Sequence, residues 1–260
     1  MAQARAIFDE VWPGEGTQVT PNLLRALVHA GGYCSVVIDE EASDRVIGAA
    51  LGFPARQDQR PGEMFLHSHM AAVLDGYRDR GIGAAIKQHQ RAWALEQGIP
   101  VVSWTFDPLV RRNAHLNVNR LGVEVRDYHP DFYGVMTDAI NAGDRTDRLV
   151  AWWVVDSERA QAASRGDLVI PDHEGLLGAS RDLIRLQSGM PHLSDPPAPG
   201  EVVLVSLPDD VVTLRRTDPA LGLEWRLAVR AALTSSFAAG LRVTAVTTEG
   251  AYVLSPEERS

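Results

Sequence analysis

Apolar residues recur along this chain with two distinct periods, and the alternation between them lays out the elements. Helical spacing runs from Ala4 to Trp12, where Pro13, Gly14 and Gly16 stop it, and again from Pro21 to Ala30, with Thr20 as N-cap and Pro21 at the first helical position. It returns in Ile82, Ile86, His89 and Trp93, ended by Gly98, and in Val110, Ala114, Val118 and Leu121, where Asp107-Pro108 reads as N-cap and first residue and Gly122 as the C′ stop. Leu221, Trp225, Val229 and Ala232 mark a last helix, opened by Asp218-Pro219 and closed at Gly240. Between these lie β-rich runs. Tyr33 to Ile38 and Val46 to Phe53 flank the acidic turn Asp39 to Asp44 and read as a hairpin, and Met64 to Leu74, Val101 to Phe106, Val123 to Tyr128 and Leu149 to Val155 read as further strands. Val202 to Leu207, Val243 to Thr247 and Ala251 to Leu254 complete the set. Strands alternating with helices predict an α/β (α+β) fold with a mixed central sheet.

The texture changes after Asp156. Gly189 to Gly200 holds Pro191, Pro196, Pro197 and Pro199, a stiffened connector. The expected organisation is therefore a catalytic domain over residues 1–157, a connector over 158–200, and a small C-terminal αβ accessory unit over 201–260 that packs on the core because it is too small to stand alone.

The stretch Arg78-Asp-Arg-Gly81-Ile82-Gly83-Ala84 joins the Met64 strand directly to the Ile82 helix. Gly81 and Gly83 carry no Cβ, so the backbone can turn tightly and admit a ligand, and the helix start aims unpaired N–H groups outward. Strand, loop and helix make an anion site. A Walker loop needs Gly-Lys-Ser/Thr after the glycine spacer, and a dinucleotide fingerprint needs a third glycine where this chain has Ile86, so neither fits. What fits is Arg-x-x-Gly-x-Gly-Ala, which resembles the acyl-CoA pyrophosphate loop of the GNAT acyltransferase superfamily. The order of elements over residues 4–157 resembles the same fold, although an opening strand usual in that family is not evident before the first helix. Trp104-Thr-Phe-Asp-Pro-Leu109, Arg112-Asn-Ala-His-Leu-Asn117, Asp131-Phe-Tyr-Gly134, and Asp147-Arg148 followed by Trp152 resemble a bacterial group of predicted acetyltransferases with a C-terminal extension.

Composition narrows the partners. A net charge of −9 over 260 residues argues against nucleic acid or an anionic membrane, so an anionic ligand must be held by local amides and arginines. Cys34 is the single cysteine, which excludes a disulfide framework and a cysteine-rich zinc site. No apolar stretch approaches the roughly 20 residues that span a bilayer, and the first residues lack a signal-peptide pattern, so a cytoplasmic protein is expected. Its oligomeric state, a homodimer included, stays open.

The resemblance implies N-acyl transfer from acetyl-CoA, or another acyl-CoA, to the amine of a small molecule by direct attack, without a metal. Arg78, Arg80, Gly81, Ile82, Gly83 and Ala84 would anchor the pyrophosphate, a strand bulge would turn the amide of Ala72 or Val73 toward the thioester oxygen, and Asn113 would lie near the pantetheine. Period two places Phe65, His67, His69 and Ala71 on one strand face. His67 stands eleven residues before Arg78, where several members of that family carry a general base, and an imidazole can take a proton from an ammonium directly or through water. His69 would border the acceptor. His-x-His also suits metal, but no third ligand is placed by spacing. Val118 stands where the family carries the tyrosine that protonates the thiolate, which leaves Tyr128 and Tyr133 as substitutes, and Arg148 could meet a substrate carboxylate. Two rivals remain: an N-succinyltransferase acting on amino acids, and a non-catalytic acyl-CoA-binding regulator.

Overall fold

The computed structural model describes residues 1–13, 19–56, 63–134, 145–176 and 178–257. Gly14 and Gly16, expected to stop the first helix, lie outside them. Contacts group the described residues into two compact units, one of residues 1–104 and 153–158, the other of 105–134, 145–152 and 159–257.

The first unit opens with α1 (Ala2–Val11) and α2 (Pro21–His29), the latter capped by the Thr20 side chain, which accepts from the Leu23 amide at 3.2 Å. The first described strand is β1 (Tyr33–Asp39), paired antiparallel with β2 (Arg45–Arg56) as the hairpin pattern predicts. β3 (Met64–Val73) adds antiparallel to β2, and β4, which begins at Val101, runs parallel to β3, so the sheet is mixed. Ala49, Leu51, Met70 and Ala72 pack under α1 and α2. The alternate residues of β2 turn to the opposite face, where α3 (Ile82–Glu96) lies close: a Cβ on Gly48 would come within 3.4 Å of Ile86 Cδ1.

One register change reorganises β3. Gly52 pairs with Ser68 and Leu51 with Met70, so His69 is an extra residue, a bulge. A one-residue slip exchanges faces. Phe65 and His67 therefore share their side with Met70 and Ala72, and Ala71, opposite Ala50, goes to the other, which corrects the expected Phe65-to-Ala71 face. The bulge also corrects the position expected near Ala72 or Val73; those residues pair in regular register with Ala49 and Gly48.

In the second unit β5 (Glu124–His129) pairs antiparallel with β6, which begins at Arg148. α5 (Glu158–Arg165), the two-residue β7 (Arg181–Asp182), and the hairpin of β8 (Ile184–Gln187) and β9 (Met190–Leu193) occupy the stretch expected to be a connector. β10 (Val203–Val205), β11 (Leu241–Val246) and β12 (Tyr252–Pro256) join β7 in a four-stranded sheet of order β11-β12-β10-β7. α6 (Val211–Thr217) precedes α7 (Pro219–Ala238), which Asp218 caps by accepting from the Leu221 amide at 3.0 Å.

The helix expected to open at Asp107-Pro108 instead begins at Arg111, as α4 (Arg111–Ala114), and continues as a π-helical turn over His115–Arg120. Asp107 still accepts the Leu109 amide at 2.9 Å, but its carboxylate also takes a two-pronged bond from Arg226 of α7 at 2.8 and 3.0 Å and another from Arg215 at 2.6 Å, and no helix opens there. These guanidinium groups hold its carboxyl well below the usual carboxylate range, against the opposing effect of burial. Asn119, on the π-turn, both donates to the Val246 carbonyl and accepts from its amide, so the irregular turn ties α4 to β11. Gly122 sits at φ 71°, the left-handed stop that was expected, and a Cβ there would fall 2.7 Å from the Arg159 carbonyl oxygen.

Candidate active site

The loop between β3 and α3 has the form the sequence predicts. After Val73 the chain ties back through the Leu74 amide to the Ile47 carbonyl at 2.9 Å, turns once over Asp75–Tyr77, and reaches Gly81, which caps α3 at φ 78°. No side chain caps that terminus, and a Cβ on Gly81 or Gly83 would meet nothing within 4 Å. The first-turn amides of Ile82, Gly83 and Ala84 therefore face open space with the positive end of a 15-residue helix behind them. Arg78 holds the loop together, pairing with Asp75 and donating from Nε to the Val73 carbonyl at 3.4 Å. Arg80 lies exposed with its guanidinium 5.2 Å from the Tyr77 ring centre. Arg80 adds positive charge to the loop, whereas the charge of Arg78 is met by Asp75.

His67 and His69 stand together, ring centres 6.0 Å apart, each also against Phe53 at 5.2 and 5.6 Å. Burial, then the charges of His69 and Lys87, pulls His67 down to about 4, and burial lowers His69 as well. His67 is thus a neutral imidazole at physiological pH, an acceptor for a strongly acidic proton such as one on an acylating ammonium nitrogen.

Sequence reasoning missed the neighbour that acts on it. Lys87 of α3 is 6% exposed, donates to Ser68 Oγ at 2.7 Å and Gln90 Oε1 at 3.2 Å, and sits 3.6 Å from the centre of the Trp104 ring. Burial pulls it down to about 7. Two fully buried donors, Gln90 Nε2 and Trp153 Nε1, have no acceptor, and the Trp153 ring meets Trp104 edge-on at 5.9 Å. The ladder between β3 and β4 joins Leu66 to Val102 and His67 to Ser103; Ser68 and Trp104 are the next residues along, so Lys87 occupies the point at which that ladder ends.

The remaining predicted residues belong to the second unit. Tyr128 donates its hydroxyl to Asp147, and burial together with that carboxylate pushes the phenol far above its ordinary value. Asp147 is in turn held by Arg230. Tyr133 is 43% exposed, shares a 2.9 Å hydrogen bond with Thr105, and lies under the Arg148 guanidinium at 5.2 Å. Arg148 is buried and donates to the Asp147 carbonyl at 2.9 Å, and burial lowers its pKa. Asn113 is half-buried in the short α4. Among the described residues no cluster of three or more metal-ligating side chains occurs, and no helix is long and apolar enough to cross a membrane.

No curated protein matches the chain. Solved structures similar to it include Naa50 of Arabidopsis thaliana in complex with the bisubstrate analogue CoA-Ac-MVNAL, 19% identical over 58% of this chain and 89% of that one, with a TM-score of 0.44. A GNAT family acetyltransferase from Elizabethkingia anophelis with acetyl-CoA bound is 13% identical over 55% and 95% of the two chains, TM-score 0.41. The ribosomal-protein-S18-alanine N-acetyltransferase from Escherichia coli is 12% identical over 60% and 88%, TM-score 0.46. The profile of the Acetyltransferase (GNAT) family, whose members are acyl-CoA-dependent enzymes, matches residues 1–121, which span α1, the mixed sheet, the glycine loop and α4. Residues 1–121 are therefore an acetyltransferase domain of the GNAT family.

Proposed function

We propose that this protein is a cytoplasmic N-acyltransferase that moves an acetyl group from acetyl-CoA to the amine of a small molecule by direct attack. The observation that carries the reading is the uncapped first turn of α3: open amides at Gly83 and Ala84, flanked by Arg78 and Arg80, at the end of a bulged strand. Backbone N–H groups at a helix start match the pyrophosphate of CoA in charge and geometry. Their fit does not rely on net charge, which is negative and would repel a polyanion without such a local site.

In this reading the bulge at His69 presents a backbone amide for the thioester oxygen, in the segment His69–Met70 rather than at Ala72 or Val73. His67 accepts the proton that the amine nitrogen sheds as the amide bond forms. Neutral down to about pH 4, it is ready for that role throughout the physiological range. Tyr128 keeps its proton against Asp147 and serves to position that carboxylate.

Gly83→Asp tests the proposal. The open space around Gly83 accommodates the side chain without disturbing the fold, but a carboxylate placed at the proposed pyrophosphate position repels it at short range. Calorimetric titration with CoA should show binding to the native protein and its loss, by 100-fold or more (roughly 3 kcal/mol), in the variant. Equal affinities would remove the loop from the site.

A further inference from the structure

Lys87 is a buried cation held by a hydroxyl, an amide oxygen and an indole ring rather than by a carboxylate, a costly arrangement for a position that a leucine could fill. α3 turns Ile86, Lys87, Gln90 and Ala94 inward, so two polar side chains occupy the middle of its core stripe. Three features set their place. Lys87 Nζ touches Ser68 and Trp104, the first residues past the paired ends of β3 and β4. Ser68 accepts from Lys87 through Oγ, which leaves its own hydroxyl proton free to donate onward. Gln90 Nε2 and Trp153 Nε1 are buried donors still lacking an acceptor, so the core around Lys87 and Trp104 holds more donors than acceptors.

From this geometry we infer that Lys87, acting through the Ser68 hydroxyl, is the proton donor to the thiolate that leaves during acyl transfer, the role for which Val118 is unsuited. The inference rests on the N-acyltransferase reading above. The step balances: the acceptor nitrogen forms a bond to the acyl carbon and loses its proton to His67, while the carbon–sulfur bond breaks and its electron pair stays on sulfur. Ser68 gives its hydroxyl proton to that sulfur and takes one from Lys87, which leaves as a neutral amine and is recharged from solvent. His67 and Ser68 are consecutive on β3 and so face opposite sides of the sheet, with Lys87 reaching Ser68 from α3, so nitrogen and sulfur are served from opposite sides. His67 is the titratable group that feels the Lys87 charge, through the sheet; β4 presents the Trp104 ring, and α3 itself presents Gln90.

The test uses acetyl-CoA with hydroxylamine, a small nucleophile already unprotonated at neutral pH, so that ionisation of the acceptor does not shape the profile. Hydroxamate formation and thiol release are followed from neutral pH to about pH 10, with CoA affinity by calorimetry as control. In the native protein the maximal rate should fall above about pH 7, as Lys87 loses its proton. Lys87→Met should lose roughly 10²-fold or more in maximal rate, lose that alkaline limb, and keep its CoA affinity. Ser68→Ala should slow turnover while the limb remains. If the Met variant does not fold, Lys87→Arg decides, since a guanidinium holds its proton across the range and must also flatten the limb. Unchanged turnover and an unchanged limb in a folded variant would overturn the inference alone. A native protein that neither binds CoA nor consumes acetyl-CoA would overturn the underlying reading, and this inference with it.

Discussion

Replacing Lys87 by Met should change how stability depends on pH, in a way that no surface lysine would. Burial brings the folded-state value down from 10.5 to about 7. The sign follows from proton counting. Below pH 7 both folded and unfolded chains hold the proton, and the native protein bears the full cost of a buried charge. Between about 7 and 10.5 the unfolded chain holds a proton that the folded chain has released, so stability rises with pH by about 1.4 kcal/mol per pH unit. Methionine has no such proton. It forfeits the bonds to Ser68 and Gln90, a loss that does not vary with pH, and leaves His67, common to both proteins, outside the alkaline window. The stability difference between the two proteins should therefore move toward the native one by about 3 kcal/mol between pH 7 and 9.5. Guanidinium unfolding at a series of pH values, with linear extrapolation, measures it. A difference constant within 0.5 kcal/mol (about a third of one pH unit's effect) would show that Lys87 keeps its ordinary affinity for protons and would refute the picture of a desolvated ammonium.

Other expectations follow from the same contacts. His67→Ala should lower turnover by roughly 10² to 10⁴ with CoA affinity nearly unchanged, and His69→Ala should do less; equal rates in a folded His67 variant would pass the base role to water. The imidazole of His67 should titrate near 4 by NMR and move upward in Lys87→Met, since one of the charges depressing it is gone; an unmoved titration would place the two side chains further apart than described. Asp107→Ala strips the carboxylate from the fully buried Arg226 and should cost about 3 to 5 kcal/mol in urea unfolding, where a loss under 1 would mean the pair is dispensable. A chain ended near Ser188 removes Arg215, Arg226 and Arg230, the partners of Asp107 and Asp147, and should aggregate; a soluble, monodisperse fragment would contradict that dependence.

Much of the fold can be read from local pattern because it is locally determined. The β1–β2 hairpin, α3 and the Asp218-Pro219 start of α7 each rest on period, turn or cap chemistry within a few residues. What the pattern hides is non-local. Asp107-Pro108 has the composition of a helix start, yet its carboxylate goes to Arg226, 119 residues away, and no local rule weighs that competitor. Alternation along β3 cannot reveal an inserted residue, so the bulge at His69 moved both the face and the expected amide. The apolar stripe read from Ile82, Ile86, His89 and Trp93 was rotated from the true core face, Ile86, Lys87, Gln90 and Ala94, because a search for hydrophobic residues passes over a buried lysine and glutamine. The spacing of 86, 87, 90 and 94 was the available signal; only the chemistry at two of the positions concealed it. The turn from Arg78 into α3 was legible as backbone geometry, since glycine positions encode it directly, whereas Lys87 needed the packed strands to give it meaning.

The central claim is acyl transfer from a CoA thioester to an amine, and incubating the native protein with acetyl-CoA and a panel of amino acids, aminoglycosides and simple amines, read by mass spectrometry, tests it most directly. The account predicts one class of amine gaining an acetyl group with equimolar release of CoA, and no such product from Gly83→Asp. Tight binding of acetyl-CoA with the thioester left intact across the whole panel would contradict it and favour a non-catalytic acyl-CoA-binding protein.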